Sequence, residues 1–106
     1  MTDSASPAFA TSIERLLNQV RHWEMPRWST PAGSGTRADL MYALVQRLAD
    51  LAAAAEHREP RPVPRDQDMT LPDQLRVMAD DLLAAGPPRS VLTEAAAAVD
   101  DLRRAL

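Results

Sequence analysis

The sequence predicts an all-α protein, a small four-helix bundle of two helical hairpins, with dimerisation as the alternative way to complete its core. Three observations carry this expectation. Four stretches each gather their apolar residues on one helical face. Clusters of Pro and Gly interrupt the chain between them. No stretch alternates apolar and polar positions along a β-branched run, and no Asn-Gly turn is present.

Residues 1–6 are small and polar and are expected to fray as a flexible N-terminus, leaving 7–106 as one helical domain. Ser6-Pro7 is a helix start, with Ser as N-cap and Pro in the first turn. The first helix is expected over about 7–23, where Phe9, Ile13, Leu16, Leu17, Val20 and Trp23 share an arc of roughly 120°. Glu24 to Gly35 is a connector, since Pro26, Pro31, Gly33 and Gly35 deny it regular structure.

The second helix, about 37–57, is the most strongly written. Leu40, Met41, Leu44, Val45, Leu48, Leu51, Ala52 and Ala55 fall in an arc of roughly 140°, and Asp39, Gln46, Arg47, Asp50 and His57 point away from it. Thr36 followed by Asp39 resembles a capping box. Pro60, Pro62 and Pro64 then favour an extended, solvated spacer through residue 68.

A third helix is expected over about 71–85, capped by Thr70 and buried through Leu71, Leu75, Met78, Ala79, Leu82 and Leu83, with Val77 outside the stripe. Gly86-Pro87-Pro88 stops it. The fourth, about 90–106, carries Leu92, Ala95, Ala96, Val99, Leu102 and Leu106 on one face, with Asp100 and Arg104 spaced for an i,i+4 pair. The short link between these two predicts an antiparallel hairpin.

Composition narrows function. Hydrophobic residues are 45% of the chain, but much of that is Ala, and there is one Phe, one Tyr and two Trp. The core is therefore thin, which makes association with another chain or a second copy a natural way to finish it. There are no cysteines, which removes thiolate metal sites and thiol nucleophiles. The N-terminus lacks a basic region and a long apolar run, and no window has the ~18 consecutive apolar residues of a membrane span, so a cytoplasmic protein with no membrane partner is expected. All 12 basic residues are Arg, which with the Ala and Pro content suggests a GC-rich, bacterial coding sequence.

No catalytic, metal or cofactor site is expected. His22 and His57 sit on different helices without a metal-binding spacing. Asp80-Asp81 and Asp100-Asp101 are adjacent pairs whose members diverge by about 100° on a helix and read as solvated faces. Nucleic-acid binding is not favoured: Arg58, Arg61 and Arg65 are diluted by Glu56, Glu59, Asp66 and Asp68. Interface chemistry is concentrated in Trp23, Arg27 and Trp28, because Trp and Arg dominate interface hot spots and Trp28 lies in the Pro/Gly connector; the competing reading is that Trp23 ends the first helix's buried stripe and Trp28 plugs the end of the bundle. The expectation is a non-enzymatic protein–protein interaction module: an adaptor, regulator or small assembly subunit binding a protein partner or itself. The alternatives are a small helical transcription factor or nucleic-acid accessory protein, and a small-ligand binder with a pocket near Trp23, Met41 or Met78.

Overall fold

A computed structural model describes residues 4–106, so the first half of the expected N-terminal fray, residues 1–3, lies outside the described residues. The protein is all-α in character, with helices α1 (Ala5–Val20), α2 (Met25–Trp28), α3 (Arg37–Ala55), α4 (Leu71–Ala84) and α5 (Arg89–Ala105). A two-stranded antiparallel ribbon, β1 (Pro31–Ala32) with β2 (Gly35–Thr36), and a 3-10 turn, Asp68–Thr70, complete it.

Helix α1 starts two residues earlier than expected, with Ser4 rather than Ser6 at its cap. Pro7 still falls in the first turn, where its missing N–H is one of the four that have no intrahelical partner. The helix ends at Val20, short of Trp23. Pro26 accounts for this, because its ring would clash with the carbonyl of His22 if the helix ran on.

The connector holds more structure than expected. Pro26 lies in the first turn of the one-turn helix α2, whose cap residue Glu24 is extended. The ribbon corrects the expectation of a chain without strands. Ala32 pairs with Gly35 across a two-residue loop, Gly33-Ser34, and Gly33 has φ +60. A positive φ at the first loop position suits a tight hairpin and favours Gly there.

Helix α3 begins on the predicted capping box. Asp39 N–H donates to Thr36 Oγ1 at 3.1 Å, and Thr36 N–H donates to Asp39 Oδ2 at 2.9 Å. Gly35 leaves room for this box, since a Cβ there would lie 2.4 Å from Asp39 Oδ2 and would push the carboxylate aside. At the other end, His57 takes the left-handed conformation at φ +57. Its N–H donates to Ala54 O at 3.1 Å, and Arg58 N–H donates to Ala53 O at 2.8 Å. This is a Schellman C-cap built without the customary Gly.

The two-hairpin expectation is corrected. The main interfaces are α3 against α4 and α1 against α5, with smaller contacts between α3 and α5 and between α1 and α4. Neither α4 with α5 nor α1 with α3 is among the principal pairs. The physical reason is the proline segment after α3. Arg65 bonds Asp39 at 3.0 Å, so the segment runs from the C-terminus of α3 back to its N-terminus. Helix α4 then starts beside the beginning of α3 and runs parallel to it; its later residues Met78 and Asp81 share a cavity with Ala49, Ala52 and Ala53. Helix α5 is antiparallel to α3, since Arg47 pairs with Glu94 at 2.6 Å while Leu40 lies beside Leu102. Gln19 Nε2, near the end of α1, donates to Arg103 O, near the end of α5, at 3.3 Å. One crossover therefore places sequence neighbours diagonally.

The predicted stripes form the core. Phe9, Leu16, Met41, Leu48, Leu75, Leu82 and Val99 are fully buried, with Ala38, Ala52, Ala79 and Ala95 allowing close helix approach. Val77 is exposed, as its position outside the stripe requires. Two surface details differ from expectation. Thr70 makes no side-chain cap; its Oγ1 donates to Gln67 O at 2.6 Å instead. Arg104 pairs with Asp101 one turn away at i,i+3, not with Asp100.

Candidate functional site

The three residues singled out in the sequence converge at one end of the molecule. Trp23 and Trp28 meet edge to face, with ring centroids 4.9 Å apart and an interplanar angle of 64°. Such a pair contributes about 0.5–1.5 kcal/mol beyond the area it buries. Trp28 is fully buried and Trp23 nearly so, at 0% and 6% exposure. Neither ring presents a surface; both anchor α2 to the core. Of the expected partner-binding residues, only Arg27 is exposed.

Arg27 is held with its guanidinium carbon 5.5 Å from the Trp23 ring centroid. Arg37, which the sequence reading passed over, stands 5.1 Å from the same centroid. The ribbon delivers it, since Arg37 N–H donates to Thr30 O at 2.9 Å where the hairpin closes. Its signal was legible: Arg37 is the first residue of α3, where the helix dipole disfavours a cation. Among the described residues, five of the other ten arginines are neutralised locally. Arg47, Arg58, Arg65, Arg76 and Arg104 each pair with a carboxylate, whereas among the described residues no carboxylate pairs with Arg27 or Arg37.

Two exposed methionines lie close by. Met25 on α2 is 47% exposed and Met69 on the 3-10 turn is 48% exposed. The turn packs directly against α2, so both methionines belong to one end of the fold. His22, Glu24, Pro26 and Arg27 border a shallow cavity of about 280 Å³ at the same end.

A second feature is the crossover segment, which is not the free spacer expected of it. Gln46 reads its backbone from both sides: Val63 N–H donates to Gln46 Oε1 at 2.7 Å, and Gln46 Nε2 donates to Arg61 O at 3.0 Å. Tyr42 Oη donates to Val63 O, and Gln74 Nε2 donates to Pro64 O at 2.9 Å. Val63 is buried, and Arg65 lies over the Tyr42 ring at 4.7 Å. Between this strap and the helices is a cavity of about 190 Å³ bordered by Ala49, Ala53, Val63, Met78 and Arg61. It is smaller than the roughly 300–1,000 Å³ of ordinary ligand pockets.

Most of the carboxylates considered in the sequence are solvated; the exception is Asp100, whose Oδ1 is buried without a hydrogen-bond partner among the described residues. Asp80, Asp81 and Asp101 are exposed, and Asp100 is half-buried on α5. His22 and His57 are exposed. Among the described residues no group of three or more His, Asp or Glu is placed to hold a metal ion, and no helix is long and apolar enough to cross a membrane. The Asp39 carboxyl is held below its ordinary pKa, first by the Thr36 backbone N–H and then by Arg65, which is the chemistry of a cap. No protein-family description, curated protein or solved structure matches this chain.

Proposed function

We propose that the chain is a non-enzymatic protein–protein interaction module, an adaptor, regulator or small assembly subunit of a bacterial cytoplasmic system. In this reading α1, α5, α3 and α4 make a four-helix bundle with one crossover, supported by the cycle of contacts in which each packs on the next. The bundle is a scaffold, and its working surface is the end that carries α2.

The observation that carries the reading is the exposure of Met25 and Met69 on two short elements that pack against each other, beside Arg27. Methionine is flexible and polarisable and is favoured on adaptable binding surfaces, and arginine is enriched at interfaces. A protein partner, including a second copy of the chain, fits such a surface. A nucleic-acid reading has less support, because Arg58 and Arg65 in its proposed cluster are paired with Glu56, Asp39 and Asp68.

The test is a photo-crosslinking amino acid placed at Met25 and, as control, at the exposed Thr93 near the start of α5, at the opposite end of the molecule. A discrete crosslinked species from position 25 only, weakened when Met69→Ser is added, supports the module. Monomer alone from both positions, with no size change by light scattering across concentration, refutes it.

A further inference from the structure

We propose that the α2 end docks an acidic segment of a protein partner: Arg27 and Arg37 take two of its carboxylates while Met25 and Met69 receive an apolar side chain between them. This rests on the interaction-module reading and specifies the partner's chemistry.

The argument begins with how the two cations are held. Cation–π attraction to Trp23 orients each guanidinium without engaging a carboxylate. The N–H fork of each remains available for a bidentate carboxylate, the contact for which arginine geometry is best suited. Trp23 is itself fixed by Trp28, which is fully buried, so the clamp is anchored to the core and loses little freedom on binding.

Charge complementarity decides between occupants. The chain carries a net charge of −3, yet among the described residues this end presents two arginines without a carboxylate partner against one unpaired carboxylate, Glu24, while Asp39 and Asp68 at the same end are both engaged by Arg65. A basic partner would meet like charge here. An extended phosphate surface would find two unpaired cations beside carboxylates at Glu24, Asp39 and Asp68, and binding a phosphate backbone needs a broader positive face. The exposed methionines favour a ligand that brings apolar surface with its carboxylates, which is the pattern of an acidic amphipathic peptide.

The test uses the whole chain and a short fluorescein-labelled peptide of Glu, Leu and Ala, followed by anisotropy. The peptide is expected to bind, and added salt to weaken it. The double variant R27Q/R37Q is expected to lose at least about tenfold in affinity, the scale of two charge-assisted contacts. R15Q/R61Q removes the same charge from elsewhere on the surface and is expected to change affinity less than about twofold. R27K/R37K keeps the charge without the planar fork, and an intermediate loss with an unchanged circular dichroism spectrum separates recognition from folding.

Equal loss in the R15Q/R61Q control overturns the proposal. So does a preference for a Lys-Leu peptide, for phosphatidylglycerol vesicles or for duplex DNA, and so does the absence of binding. If crosslinking from position 25 persists while the acidic peptide fails, the module stands and only the acidic partner is lost; failure of both removes both.

Discussion

Substituting Gln46 with Leu tests the idea that the crossover strap is held by one side chain. Leucine keeps nearly the same volume on α3 but removes the amide. Val63 N–H, which donates to Gln46 Oε1 at 2.7 Å, then loses its acceptor beneath a buried residue. An orphaned buried donor costs about 1–3 kcal/mol. Arg61 O, which accepts from Gln46 Nε2, belongs to an exposed residue and can turn to water, so its loss adds at most about 0.5 kcal/mol. The expected total is about 1–3.5 kcal/mol by urea titration, or roughly 5–20 °C in Tm for a domain of this size. The strap should also open before the domain does. Trypsin is expected to cut after Arg58 and Arg65 in Gln46→Leu much faster than in the parent, while Arg61 stays protected by Pro62. A loss under about 0.5 kcal/mol with unchanged proteolysis would mean that Tyr42, Gln74 and Val63 suffice and that the Gln46 bonds add nothing net.

Other expectations concern the caps and the aromatic anchor. His57→Gly relieves a left-handed residue at about 1–2 kcal/mol, less the ~0.5–1 kcal/mol of entropy that Gly adds to the unfolded chain, so a net gain of about 0.5–1 kcal/mol by chemical denaturation is expected. Gly35→Ala pushes a Cβ into the Asp39 carboxylate and should cost about 1 kcal/mol, the typical worth of an N-cap, also read by denaturation. Asp39 has a folded pKa below its unfolded one, so its contribution is complete above the ordinary carboxylate range and is lost as pH falls through about 4 toward the folded value. Asp39→Asn should therefore flatten the stability profile in that acid window and leave its shape at neutral pH unchanged. Trp28→Ala empties a fully buried site and should cost about 3–5 kcal/mol, seen as a large drop in Tm, which makes it unsuitable as a surface variant in binding assays.

The candidate site was half legible. Trp23, Arg27 and Trp28 do come together, but local sequence does not tell a ring that anchors a connector from one that faces outward. Arg37 could have been found from its place against the dipole at the start of α3. Met25 and Met69 could not, because their nearness depends on the 3-10 turn packing against α2 across more than forty residues of chain.

The sequence by itself determined where the four long helices lie, to within about three residues, and which face each one buries. It also set the capping box at Thr36 and Asp39 and the stop at Gly86, since periodicity, capping and Pro or Gly chemistry act within one or two turns. Tertiary structure alone decided that α3 and α4 run parallel, that the proline segment is a strap, and that Trp28 is interior. Those outcomes turn on Gln46, Tyr42 and Gln74 meeting backbone groups far along the chain. No local pattern encodes such partners, because an amide on a polar helix face looks the same in sequence whether it binds water or a strand of its own protein.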